Sequence, residues 1–271
     1  AILAYALFHR RRQAEARTSR ELPLIIGGGV VLPVVVMFVL MGFTVEALNF
    51  LAKDPPADAL RIDVTGRDWW WDVSYPDLDV RTANEIHIPV GETIAVTGTA
   101  EDVIHSFWVS QLNGKVDFIP GKPNEFKLRA DKAGTFRGPC AEYCGVGHTQ
   151  MTLVVIAQPR DEFDRWVEQQ RAPANMPVDT RAERGRDIFF SSSCIACHGI
   201  KGTEANATVG PDLTHFASRD RFAGDFWQLN AENLATWVTQ PTDLKPGANM
   251  PGTPFSQDDK DALVAFLLSL K

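Results

Sequence analysis

The chain has 271 residues and a formal net charge of −7, from 27 Lys+Arg against 34 Asp+Glu. No excess of positive charge is left to coat a phosphate backbone, so nucleic acid is not an expected partner. A hydrophobic fraction of 45% excludes wholesale disorder, and four cysteines are too few for a disulfide scaffold of this length.

In chain order, Ala1 to Phe8 is apolar but spans only ~12 Å as a helix. We read it as the tail of a first membrane span whose beginning is missing from the sequence. Leu22 to Val45 then runs without a charge, long enough to cross a ~30 Å hydrocarbon core. Arg10, Arg11, Arg12, Arg17 and Arg20 lie between the two apolar stretches, and the far flank carries Glu46, Asp54 and Asp58. The positive-inside rule puts the arginines in the cytoplasm and everything after Val45 outside. The expected anchor is a transmembrane helical hairpin over residues 1–52, with a truncated first helix and a second helix over 22–48.

From Leu60 to Gln158 short β-type runs follow, at 61–64, 85–88, 93–96, 125–128 and 152–156. They predict a sandwich or barrel domain over 58–160. A short helix is expected at 161–170. Pro173 and Pro177 then break the pattern, so 161–180 reads as helix plus linker with a domain boundary near residue 175. Residues 181–271 are expected to be helical. They end in a helix capped by Ser256 with Asp259, its apolar face formed by Leu263, Phe266, Leu267 and Leu270.

Cys140, Glu142, Cys144, His148 and Met151 fall within twelve residues. Two thiolates, an imidazole and a thioether suit copper. Two thiolates can bridge two copper ions if each metal has its own imidazole, and His105, 35 residues before Cys140, is the natural second one. A Cys140–Cys144 disulfide or a Cys2His2 zinc site would use some of the same residues. Neither would use Met151 or explain the Trp-rich run Arg67-Asp68-Trp69-Trp70-Trp71.

Together with Lys115-Val-Asp-Phe-Ile-Pro-Gly121, these motifs make residues 1 to about 170 resemble the dinuclear copper (CuA) subunit, subunit II, of cytochrome c oxidases. The resemblance implies a cupredoxin-like Greek-key β-barrel. It also implies bridging Cys140 and Cys144, terminal His105 and His148, weak Met151, and the backbone carbonyl of Glu142. The Glu142 side chain would reach a magnesium or manganese ion at the contact with subunit I. Trp69 would be the aromatic residue through which electrons reach CuA from a docked cytochrome. The family often places a glutamate seven residues before the membrane-helix proline; counted from Pro33, that position is Ile26.

Further on, Cys194-Ile-Ala-Cys197-His198 is the attachment pattern for c-type haem. Met250, 52 residues after His198 in Lys245-Pro-Gly-Ala-Asn-Met250-Pro251, is the expected sixth iron ligand. Met176 and His215 are the alternatives. Residues 181–271 resemble an all-α class I cytochrome c domain. His9 and His87 carry no motif and are read as flank and strand surface.

The whole resembles subunit II of a haem-copper oxidase with a fused cytochrome c. This implies electron relay from an external donor, cytochrome c or a membrane-bound cytochrome complex, through haem c and CuA to the haem of subunit I. There oxygen would be reduced to water with proton pumping. Subunit I, and subunit III, are the expected partners, and the expected location is a bacterial inner membrane, multi-pass, with both soluble domains periplasmic. The alternative reading is the CuA-bearing subunit of a nitric oxide reductase.

Overall fold

The computed structural model describes residues 18–271, with side chains from residue 21 onward except at 50–52. The expected first span and Arg10 to Arg17 lie outside the described residues. The chain forms two units, Ala1–Asp54 and Pro55–Lys271.

In the first unit, helix α1 (Thr18–Ile26) runs through a π-helical turn (Gly27–Val31) into α2 (Leu32–Ala52). The wide turn has the Leu32 N–H bonded to the Gly27 carbonyl and falls just before Pro33, which has no N–H to offer the regular ladder. Glu21–Asn49 is a helical stretch long and apolar enough to cross a membrane, with none of its apolar window buried.

The second unit begins with a β-sheet region. Its strands are β1 (Arg61–Arg67), β2 (Trp70–Tyr75), β3 (Val80–Ala83), β4 (Glu85–Pro89), β5 (Ile94–Ala100), β6 (His105–Phe107), β7 (Val116–Phe118), β8 (Asn124–Leu128), β9 (Gly134–Pro139) and β10 (Thr152–Gln158). Five strands form one sheet in the order β3-β2-β1-β5-β8, three form a second in the order β4-β10-β9, and β6 pairs with β7. Alternate residues of β1, β2 and β5 are buried, which is the period-2 signature of a sheet with one face on a core. Trp71, fully buried, sits edge-on to the rings of His105, Phe107 and Phe118. Helix α3 (Arg160–Arg171) closes this core with Phe163, Trp166 and Val167.

A second core belongs to the helical region: α4 (Thr180–Ser191), α5 (Ala231–Thr239), α6 (Pro241–Leu244) and α7 (Gln257–Leu267). The Asp179 side chain caps α4 and the Ser256 side chain caps α7. Two expectations need correction. The helical region is not wholly α, because a short hairpin pairs β11 (Arg221–Phe222) with β12 (Trp227–Gln228). His87 is not on the surface: its ring stacks on Trp166 at 4.0 Å and its nitrogens face Glu85 at 3.0 Å and Gln158 at 3.1 Å. The linker is packed against the helical region. The Ala172 carbonyl lies 3.1 Å from a ring nitrogen of His215, the Ala174 N–H donates to Lys201, and Asn175 donates to the Lys271 carbonyl.

Candidate functional site

The first site lies between β6 and the loop joining β9 to β10. The loop is closed at its neck by the Cys140 N–H donating to the Met151 carbonyl at 2.8 Å. It is pinned to β6 by the Ala141 N–H donating to Ser106 at 3.0 Å. Within it the Sγ atoms of Cys140 and Cys144 are 3.8 Å apart and both thiols are free, so there is no disulfide here. Cys144 Sγ lies 3.5 Å from His148 Nδ1 and 3.9 Å from Met151 Sδ. Cys140 Sγ lies 4.0 Å from His105 Nδ1 and 3.3 Å from the Glu142 carbonyl oxygen. The structure therefore brings together all six residues expected to serve a copper centre.

His105 is fully buried and turns Nε2 toward the Asp102 carboxylate at 2.7 Å. Such an outer carboxylate fixes the ring and raises its basicity as a ligand. Burial alone would lower the His105 pKa; hydrogen bonds to Cys140 and Asp102 reverse this and raise it. Hydrogen bonding from Cys144 is the main cause that holds the Cys140 thiol down at about 4, against the burial that opposes ionisation. A thiol that ionises readily, next to a second thiol, two imidazoles, a thioether and a carbonyl, is a donor set that fits thiophilic copper. The Glu142 carboxylate pairs with Lys115 at 2.9 Å.

The second site is a cavity of about 240 Å³ in the helical region, lined by Phe189, Cys194, Cys197, His198 and Met250 among others. Cys194 lies in the helical turn Ser193–Ala196 that follows α4, and the His198 N–H donates back to the Cys194 carbonyl at 3.0 Å. His198 Nδ1 lies 2.8 Å from the Pro211 carbonyl, an arrangement that fixes the Nδ1–H tautomer and leaves Nε2 for a ligand. Burial lowers its pKa, which favours that neutral form. Met176 is exposed and His215 is engaged with the Ala172 carbonyl; neither lines the cavity, and Met250 does. The buried guanidinium of Arg219 also lines it. Apolar walls, two thiols, an imidazole, a thioether and a buried cation fit a haem with its carboxylates.

Trp69 belongs to both sites. It is 9% exposed, and its Nε1–H donates to the Cys144 carbonyl at 2.7 Å. It also lines the helical cavity, with its ring against the backbone of Gly147 in the copper loop and Gly247 beside Met250. Its burial arises because the helical region covers it, a contact that no local pattern encodes. Arg219 and Lys245 were missed as well, since each acts across a long sequence separation, and Asp102 was missed although it lies only three residues before His105.

Residues 78–158 match the family model described as cytochrome c oxidase subunit II, periplasmic domain, and residues 182–271 match that of cytochrome c. A cytochrome c oxidase subunit 2 from Alkalihalophilus pseudofirmus is 40% identical over 247 residues, covering 89% of this chain and 71% of that one. The chain belongs to the cytochrome c oxidase subunit 2 family. Another subunit 2, from a Bacillus species (strain PS3), is 36% identical over 239 residues, covering 84% of this chain and 66% of that one. The chain thus spans about two thirds of the length of these relatives. The crystal structure of the periplasmic domain of subunit II from Bradyrhizobium japonicum is 35% identical, covers 43% of this chain and 96% of that one, and gives a TM-score of 0.41. As a subunit 2 family member, the chain is an oxidoreductase component with an electron-transfer role. Its sheet region is cupredoxin-like and its helical region is of cytochrome c type.

Proposed function

We propose that this subunit 2 relays electrons from an external donor, received at a c-type haem, to a dinuclear CuA centre and on to subunit I, where oxygen is reduced to water with proton pumping. Cys194 and Cys197 would anchor the haem, with His198 and Met250 as its axial ligands. His105, Cys140, Cys144, His148, Met151 and the Glu142 carbonyl would hold the copper pair. When bound, these groups supply one-electron redox chemistry at the two sites. The protein's own contribution is to fix the donors, exclude water from them and keep the sites adjacent. The observation that carries the reading is Trp69, whose indole lines the helical cavity and donates to the carbonyl of Cys144.

The Glu142 carboxylate, a hard oxygen donor held beside Lys115, is the group we assign to a magnesium or manganese ion at the subunit I contact. The apolar helix and the arginine-rich stretch before it support a periplasmic placement of residues 60–271, with a hairpin anchor in the inner membrane. A cytochrome c or a membrane-bound cytochrome complex would be the donor.

Metal analysis and optical spectra of the purified oxidase test this directly. Two coppers and one covalent haem per chain are expected, and Cys140→Ser should abolish the mixed-valence copper signal while leaving the haem spectrum intact. One copper per chain, or zinc in its place, would overturn the copper assignment.

A further inference from the structure

Lys245 lines the helical cavity but has no ligand role there; it is 3% exposed and lies where the two regions of the Pro55–Lys271 unit meet. Its Nζ donates to three backbone carbonyls, those of Trp69 at 2.5 Å, Gln150 at 3.0 Å and Ala223 at 3.0 Å. An ammonium has three donors and no acceptor, so the set is complete. The carbonyls come from three different segments. Trp69 lies in the turn between β1 and β2, and its indole holds the Cys144 carbonyl. Gln150 directly precedes Met151 in the copper loop, and Ala223 belongs to the turn of the β11–β12 hairpin. Lys245 itself stands five residues before Met250.

Neighbouring bonds follow the same seam. The Thr152 N–H donates to the Gly224 carbonyl at 3.0 Å, the Gln150 side chain to the Leu244 carbonyl at 3.0 Å, and Asn249 to the Asp68 carbonyl at 3.3 Å.

We infer that Lys245 is a positioning residue that locks the Met250 segment of the helical region onto the Cys140–Met151 loop, so that the two proposed centres are held at a set separation. The inference rests on the relay reading. Burial draws the Lys245 ammonium down to about 7, against the charge of Cys144, which favours the ammonium. An apolar side chain here would leave the three carbonyls buried without donors. A guanidinium is a planar fork and does not reproduce a tripod of donors. In the step that this lock serves, one electron leaves the haem iron, which is oxidised, and one enters the copper pair, which is reduced; no bond or proton changes.

The test uses the intact purified oxidase. Lys245→Met keeps the length and removes the donors. Gly224→Ala keeps Lys245 but places a Cβ 2.4 Å from the Gln150 carbonyl at a positive φ of 88°, wedging the same seam. Ser256→Ala, which removes the cap of α7, is the control for general loosening of the helical region.

Hydrogen exchange at the Thr152 amide should rise at least ~10-fold in both seam variants and stay unchanged in the control. The rate of electron transfer falls with the separation of the two centres, so transfer from haem to copper after flash reduction should slow several-fold, with haem spectrum and copper content unchanged. Unchanged Thr152 exchange in Lys245→Met overturns the inference, whatever Gly224→Ala does, and so does raised exchange with an unchanged transfer rate. Absence of copper or haem from the wild-type oxidase overturns the relay reading instead, and the exchange result, which needs neither group, still decides whether Lys245 holds the seam.

Discussion

In the proposed haem cavity, Met250 and His198 are held in different ways. His198 is fixed by its own bond to the Pro211 carbonyl, whereas Met250 is placed only by the segment that carries it. A thioether ligand stabilises reduced iron. Met250→Ala should therefore lower the haem potential and let carbon monoxide bind to the reduced protein, while Met176→Ala should do neither; redox titration and carbon monoxide difference spectra distinguish the two. The reverse pattern would transfer the ligand role to Met176. At this scale the sequence was informative wherever the donors are local. Cys140 to Met151 and Cys194 to His198 are short segments in which spacing and chemistry coincide. Trp69 and Lys245 carried no such signal, because their meaning depends on partners 75 and 176 residues away.

Helices α4 and α7 make the closest helix contact in the helical region, and Gly185 is the reason they can. A Cβ there would lie 1.9 Å from the Ala262 carbonyl and 2.8 Å from Cβ of Phe266. Backbone cannot give way as a flexible side chain can, so Gly185→Ala should cost about 1–3 kcal/mol by overpacking. That outweighs the at most ~1 kcal/mol that alanine contributes to helix propensity. Thermal unfolding of the helical region followed at the haem band should fall by several degrees; an unchanged midpoint would mean the helices can separate freely. Elements with a strong local period were readable in advance: β1, β4, β5, β8 and β10 begin within a residue of the expected runs, and α3 and the Ser256 cap of α7 match as well. Strands β6 and β7, three residues each, and the β11–β12 hairpin were not read. They are too short to show a period, and tertiary pairing fixes them.

Across the whole molecule, charge ties the sheet and helical regions together as well as shape does. Lys201 pairs with Asp79 at 2.6 Å, Arg137 pairs with Asp225, and the buried Arg219 acts on Glu85 of β4. Burial would raise the Glu85 pKa, but its bond with His87 and the charges of His87 and Arg219 bring it below the ordinary 4.5. A carboxyl lowered in the folded state contributes stability above its unfolded value and loses it as pH falls through the folded one. Glu85→Gln should accordingly lower the melting temperature at pH 7, and the difference should close as pH falls below about 4.5. A gap that stays constant with pH would remove Glu85 from the acid limb.

The same seam bears on the order of electron flow. The haem cavity and the copper loop share Trp69, and the linker between the regions is packed along the helical side. The cytochrome region therefore rests on its proposed acceptor, the copper loop, without needing to find it by diffusion. With His148→Ala, one terminal imidazole is lost and the copper centre should fail to form, while His198, Cys194 and Cys197 are untouched. An external donor should still reduce the haem in such a complex, but the haem should remain reduced when oxygen is added. Flash reduction followed by absorbance at the haem band measures this. Reoxidation at the wild-type rate would mean that electrons reach subunit I without the copper loop, and the proposed order would be wrong.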